Sequence, residues 1–150
     1  MSAATLNVLG FCRSTVGGYD VWTSGDSALM RRRNVAGTTI NRMNYQAVYD
    51  CLVHVLASID APQQLELRIG CYSVVGQLTG CIPARLAHVR DMCGRITDLV
   101  RECAPRTEVR FQYAPDLDPP RCLVGHCRPP SDGRQIGGRA NLLQDHTEPV

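Results

Sequence analysis

A chain of 150 residues with 44% hydrophobic content is long enough to bury one real core and too short to hold two sizeable domains. Sixteen basic against fourteen acidic residues leave a net charge of +2, which excludes a surface that is basic throughout, so any basic patch must be local. All sixteen basic residues are arginine. The opening residues, Met1 to Leu6, hold no basic segment followed by an apolar run, so no secretory signal is expected. Ala47 to Ile59, the most apolar stretch, is broken by Asp50 and His54. It falls short of the ~20 residues that cross a bilayer, so no membrane span is expected either. Of the cysteines at 12, 51, 71, 81, 93, 103, 122 and 127, several fall at core positions of predicted helices. They read as mostly free, buried thiols in a reducing intracellular compartment, the cytoplasm or the nucleus.

Leu6 to Phe11 reads as a first strand, rich in β-formers, with a hairpin expected at Gly17-Gly18. Tyr19 to Thr23 alternates polar and apolar residues, Ser24-Gly25-Asp26 turns, and Ala28 to Val35 returns as a third antiparallel strand. From Asn44 the period changes: Ala47, Val48, Cys51, Leu52, Val55, Leu56 and Ile59 recur at helical spacing until Pro62. Leu65 to Ile69 is a short strand, and Tyr72 to Leu78 a short helix ended by Thr79-Gly80. Ala84 to Cys103 is the longest periodic run. It puts Leu86, Val89, Cys93, Ile96, Val100 and Cys103 on one face and pairs Asp91 with Arg95 on the other. Glu108 to Tyr113 alternates as a last strand.

The order β-β-β-α-β-α-α-β predicts an α/β fold: a mixed five-stranded sheet of three antiparallel strands and two joined through helices, with helices packed on it. Residues 1–114 form this core. Residues 115–150, with six of the nine prolines and four glycines, read as a partly disordered tail carrying a short helix at 139–144.

Two strings inside these elements resemble the ribonuclease H family, in particular its reverse-transcriptase-like branch of cellular and retroelement proteins. Thr38-Thr39-Ile40-Asn41-Arg42-Met43-Asn44-Tyr45-Gln46-Ala47 is similar to the family's Thr-Thr-Asn-Asn-x-x-Glu-Tyr-x-Ala at the opening of its first helix. The run from Ile69 to Gly80 is similar to its Asp-Ser-x-x-Val-Val-x-Gln-x-x-Gly after the fourth strand. The resemblance spans about Leu6 to Tyr113 and implies the ribonuclease H-like fold.

Activity in that family requires carboxylates that hold two divalent ions. The resemblance puts those carboxylates at Leu9, Asn44, Gly70 and, through Ala140-Asn141-Leu142-Leu143, Asn141. Leucine, glycine and amides lack the charge for a magnesium site, so the expectation is a pseudoenzyme with no catalytic residue, no metal and no cofactor. Asp20, Asp26 and Asp50 read as acids on solvated faces that do not converge. Cys51-x-x-His54 and Cys122-x-x-x-His126-Cys127 hold zinc-ligand residue types without the paired spacing of a tetrahedral site, and read as ordinary core and tail residues. His88 and His146 read as solvated.

What the resemblance leaves is the polar shell that grips nucleic acid. Gly10, Asn41, Cys71 and Gln77 match the family's substrate-contacting positions, and Arg13 follows the first strand. Arg31-Arg32-Arg33 is a concentrated charge that reads either as phosphate contact or as a solvated guard on a sheet edge. Arg106, Arg110 and Arg121 are candidates to extend a basic face. With 5% aromatic residues, duplex shape readout fits better than base stacking along a single strand.

The expected function is non-catalytic binding of duplex RNA or an RNA–DNA hybrid, as in a viral accessory protein or suppressor of RNA silencing. The lysine-free composition suits escape from ubiquitination in such a protein, or simply a GC-rich coding sequence. The alternative is a protein-interaction or self-association module, a tether-like homodimer included, which the near-neutral charge favours.

Overall fold

The computed structural model describes residues 2–25 and 27–118. Its elements follow the predicted order: β1 (Ala3–Arg13), β2 (Val16–Thr23), β3 (Ala28–Ala36), α1 (Ile40–Ala57), β4 (Gln64–Ile69), α2 (Tyr72–Thr79), α3 (Ala87–Cys103) and β5 (Glu108–Tyr113). The strands form one sheet in the order β3-β2-β1-β4-β5. β1, β2 and β3 pair antiparallel, whereas β4 runs parallel to both β1 and β5. This is the mixed five-stranded sheet with helices packed on it that the sequence predicts. Asp26, the tail beyond residue 118, the helix expected at 139–144 and the cysteines at 122 and 127 lie outside the described residues.

The first hairpin turns earlier than the glycines suggest. Arg13 pairs with Val16, so the loop is Ser14-Thr15, and both residues take positive φ, 51° and 64°. This is the two-residue type I′ geometry, whose twist matches that of the flanking strands. Gly17 and Gly18 lie inside β2 and allow close packing instead. A Cβ would come within 2.2 Å of the Phe11 carbonyl oxygen at Gly17 and within 2.1 Å of the Arg32 carbonyl oxygen at Gly18.

α1 begins before Asn44 because Thr39 caps it, its Oγ1 accepting from the Arg42 amide at 3.2 Å. It ends at Ala57, where Arg106 donates to the carbonyl oxygens of Leu56 and Ser58 at 2.9 and 3.0 Å. Ile59, expected on the apolar face, therefore lies past the helix and is 95% exposed. α3 starts at Ala87 rather than Ala84, and its Asp91–Arg95 pair is present at 3.2 Å. None of the helices among the described residues is long and apolar enough to cross a membrane.

Side chains alternate across each strand, and this sets the two faces of the sheet. Leu6 and Val8 of β1, Tyr19 and Val21 of β2, and Leu65, Leu67 and Ile69 of β4 meet the three helices in one hydrophobic cluster. Asn7, Leu9 and Phe11 point the other way, and there Leu9 packs with Trp22 and Leu117 in a second, small cluster.

Candidate nucleic-acid interface

β1 and β4 run side by side, with Val8 opposite Ile69, so the positions that follow them, Leu9 and Gly70, are brought together. α1 crosses above, and its first turns deliver Asn44 to the same place. The Asn44 side chain is fully buried and used at both ends: Oδ1 accepts from the Gly10 amide and Nδ2 donates to the Ile40 carbonyl oxygen, each at 2.9 Å. Gly10 must lack a side chain for this contact, since a Cβ there would lie 2.7 Å from the Asn44 backbone nitrogen. The Gly70 amide donates to the Val8 carbonyl oxygen at 3.0 Å.

Leu9, Asn44 and Gly70, which sequence alone set 61 residues apart at most, thus share one centre, while Asn141 lies outside the described residues. These residues do not fit a pair of divalent cations. Leu9 offers hydrocarbon packed on Trp22, Gly70 offers no side chain, and the one polar group, the Asn44 amide, is already spent on backbone partners.

Around this centre lies a polar cluster built by α1 and α2. The Asn41 Oδ1 accepts from the Cys71 thiol at 3.1 Å and from the Ser73 hydroxyl at 3.4 Å. The Tyr45 hydroxyl donates to Gln77 Oε1 and receives the Cys93 thiol at 3.7 Å. Burial pushes the Cys93 thiol above the ordinary range, against a smaller opposing pull from its bond to Tyr45. The Cys12 thiol donates to the Thr38 carbonyl oxygen at 3.3 Å, which ties the end of β1 to the loop before α1. Asn41 and Cys71 are thus in direct contact, Gln77 meets Tyr45 one turn further along α1, and Arg13 is exposed beside the hairpin loop.

The arginine run divides between the two faces. Asp20 lies across from Arg31 and Tyr19 across from Arg32. Arg33 donates to Asp20 Oδ1 at 2.7 Å and stacks over the Phe11 ring at 5.0 Å, while Arg31 approaches the same carboxylate at 3.5 Å. Arg32, on the helix face, makes no ion pair with the described residues. Asp20 is 1% exposed. It is not the solvated acid that its sequence context suggested, because it is the counter-ion of two arginines. Burial raises its carboxyl above the ordinary range, and Arg33 and then Arg31 pull it part of the way back. Asp50 instead accepts from the Tyr19 hydroxyl and, at 2.9 Å, from Gln46. Burial foremost, and then this carboxylate, hold Tyr19 above its usual range.

The other candidates disperse. Arg106 holds the end of α1, Arg110 pairs with Glu108 at 3.5 Å, and Arg121 lies outside the described residues. Cys51 is buried whereas His54 is exposed. Cysteines 12, 51, 71, 81, 93 and 103 form no disulfide among the described residues, and Cys81 among them is exposed rather than buried.

His88 corrects its expectation too, because its Nε2 is buried with no hydrogen-bond partner among the described residues. The residue also lines a half-open pocket of about 320 Å³ between the end of β3 and the first turns of α1 and α3. Sequence gave no sign of this cavity, since its walls come from three segments and only folding joins them.

No family model matches the chain, and no curated protein matches it. Solved structures do. LC11-RNase H1, isolated from compost, in its complex with an RNA/DNA hybrid aligns with a TM-score of 0.63 at 18% identity, over 75% of this chain and 85% of that chain. RNase H1 from the halophilic archaeon Halobacterium salinarum aligns at 0.58 and 18% identity, over 75% and 86%. The N-terminal RNase H domain of a Mycobacterium tuberculosis protein aligns at 0.58 and 15%, over 75% and 87%. The chain has the ribonuclease H-like α/β fold.

Proposed function

We propose that this chain is a non-catalytic ribonuclease H-like protein that binds duplex nucleic acid, RNA duplex or RNA–DNA hybrid. The observation that carries the reading is the pairing of a neutral centre with an intact polar shell. Leu9, Asn44 and Gly70 supply no carboxylate to bind cations or repel phosphate, while Asn41, Cys71 and Ser73 are clustered beside them and Gln77 pairs with Tyr45. A related fold in LC11-RNase H1 is known with an RNA/DNA hybrid, which supports this class of ligand. Hydroxyl, amide and backbone groups of this kind suit the shallow minor groove of an A-form duplex, where 2′-hydroxyls mark RNA.

Placement in the reverse-transcriptase-like branch rests on the two strings at 38–47 and 69–80. The role of a viral accessory protein or suppressor of RNA silencing rests on the lysine-free composition, and an intracellular, reducing setting on the free thiols. The second reading, a protein-interaction or self-association module, is favoured by the net charge of only +2.

The test is a titration of the full chain against a short RNA duplex, an RNA–DNA hybrid and single-stranded RNA, with and without magnesium, reading binding and cleavage together. The expected result is duplex binding that weakens steeply with salt, with no cleavage. Arg32→Ala, which breaks no ion pair among the described residues, should reduce the salt slope by about one unit. No duplex binding at low salt overturns the reading in favour of the protein-interaction module. Magnesium-dependent cleavage that survives purification overturns the non-catalytic part.

A further inference from the structure

We propose that residues 115–118 form a strap over the outer side of the neutral centre that competes with duplex nucleic acid for it, with Leu117 as the latch. The inference rests on the duplex-binding reading and adds regulation of the same site.

The first argument is the path of the chain. β5 stays in register with β4 through Tyr113, and the next amide, that of Ala114, donates to the Ile69 carbonyl oxygen at 2.9 Å. Ala114 is buried, so the chain is fixed there, beside the end of β4 that leads into Gly70. It then turns at Pro115-Asp116, and Leu117 packs against Leu9 of β1 and Trp22 of β2. β4 lies between β5 and β1. Residues 115–117 therefore cross from the β4–β5 end of the sheet to Leu9, on the face opposite the three helices. Leu9 is itself a member of the centre, so the strap lies where the centre opens on that face.

The second is how lightly the strap is held. Pro115, Asp116 and Asp118 are exposed, and Leu117 is partly buried. The cluster it joins, Leu9 and Trp22, is separate from the main core. Apolar stabilisation scales with the area removed from water, so one partly covered leucine can lift without disturbing the sheet.

The third is charge. The centre supplies no carboxylate, but Asp116 and Asp118 place two exposed ones on either side of the latch. Carboxylates so placed repel a phosphate backbone that approaches Leu9. A duplex that rests on the Asn41, Cys71 and Ser73 cluster and reaches across the centre meets bulk and negative charge while the strap is seated. It is relieved of both when Leu117 lifts.

Trp22 is the single tryptophan of the chain, so its emission reports the latch without any ligand. The full chain is compared with two variants, and thermal melting verifies that each folds. Leu117→Ser removes the latch, and Asp116→Asn removes one charge and leaves the latch in place. Trp22 emission is read first without ligand, and a short RNA duplex is then titrated at low and at moderate salt.

Leu117→Ser should move the Trp22 emission to longer wavelength and bind the duplex roughly tenfold more tightly, the gain expected where about nine molecules in ten hold the strap seated. Asp116→Asn should leave the emission unchanged and tighten binding about twofold at low salt, a gain that fades as salt screens the charge. Equal duplex affinity in wild type and Leu117→Ser overturns the proposal while the duplex-binding reading stands, and so does a Trp22 emission that the substitution leaves unmoved. Weaker binding by Leu117→Ser overturns it as well, because Leu117 is then a contact for the duplex rather than a latch against it. Absence of duplex binding by wild type and both variants removes the duplex reading, and the strap's role with it.

Discussion

Leu67 and Asp20 belong to one sheet and are equally withdrawn from water, at 0% and 1% exposure, yet they face opposite ways. Leu67 meets hydrocarbon from β1, β5 and the helices, and its burial is favourable without regard to direction. Asp20 is held by Arg33 and Arg31, and a buried charge is tolerable only while its partners stay in place. One face is thus secured by area, which many residues share, and the other by geometry, which a few residues carry. The centre at Gly10 and Asn44 lies at the seam, where a directional amide locks α1 onto the apolar side of β1.

The comparison breaks hardest at Leu67. Leu67→Ala should cost about 2–5 kcal/mol, the transfer of the lost methyl groups plus the cavity left behind, measured by chemical denaturation; a smaller cost would mean that the helix face collapses to fill the space. Asn44→Ala comes next. It strands the buried Gly10 amide and should cost about 1–3 kcal/mol, and slow exchange of the Gly10 amide hydrogen in the wild type should be lost with it. Undiminished protection in the variant would show that the seam does not depend on this bond.

The smallest effect sharpens the comparison on the Asp20 side. Its carboxyl is raised in the folded state, so the folded chain holds that proton to higher pH than the unfolded chain does. The resulting stabilisation is complete below the unfolded pKa and is lost as pH rises through the folded one. Wild type should therefore gain stability relative to Asp20→Asn as pH falls from neutral into the carboxylate range. A difference flat in pH would mean that Arg33 and Arg31 cancel the cost of burial entirely.

Much of this was legible along the chain, and what was missed has a physical pattern. The helical spacing through Val48, Cys51, Leu52 and Val55 identified α1, and β5 was bounded to the residue. The first hairpin was misplaced, because Ser14 and Thr15 carry no glycine to announce their positive φ, and the glycines that drew the reading serve close packing in β2. Ile59 kept the helical period but fell beyond the end that Arg106 fixes from 48 or 50 residues away. The centre was legible as a set of positions through resemblance alone. That Asn44 spends both ends of its amide on backbone was not, since hydrogen-bond partners 34 residues apart leave no trace in local pattern.

The sequence by itself determined the elements, their order and the mixed sheet, because periodicity and turn chemistry act over a few residues and are written where they act. Only the tertiary structure decided what each polar side chain does. It divided Arg31 to Arg33 between two faces, buried Asp20 as the counter-ion of Arg31 and Arg33, and left the His88 Nε2 buried without a hydrogen-bond partner among the described residues. Charges and hydrogen bonds take their value from neighbours and from distance to water, and both are properties of the packed chain.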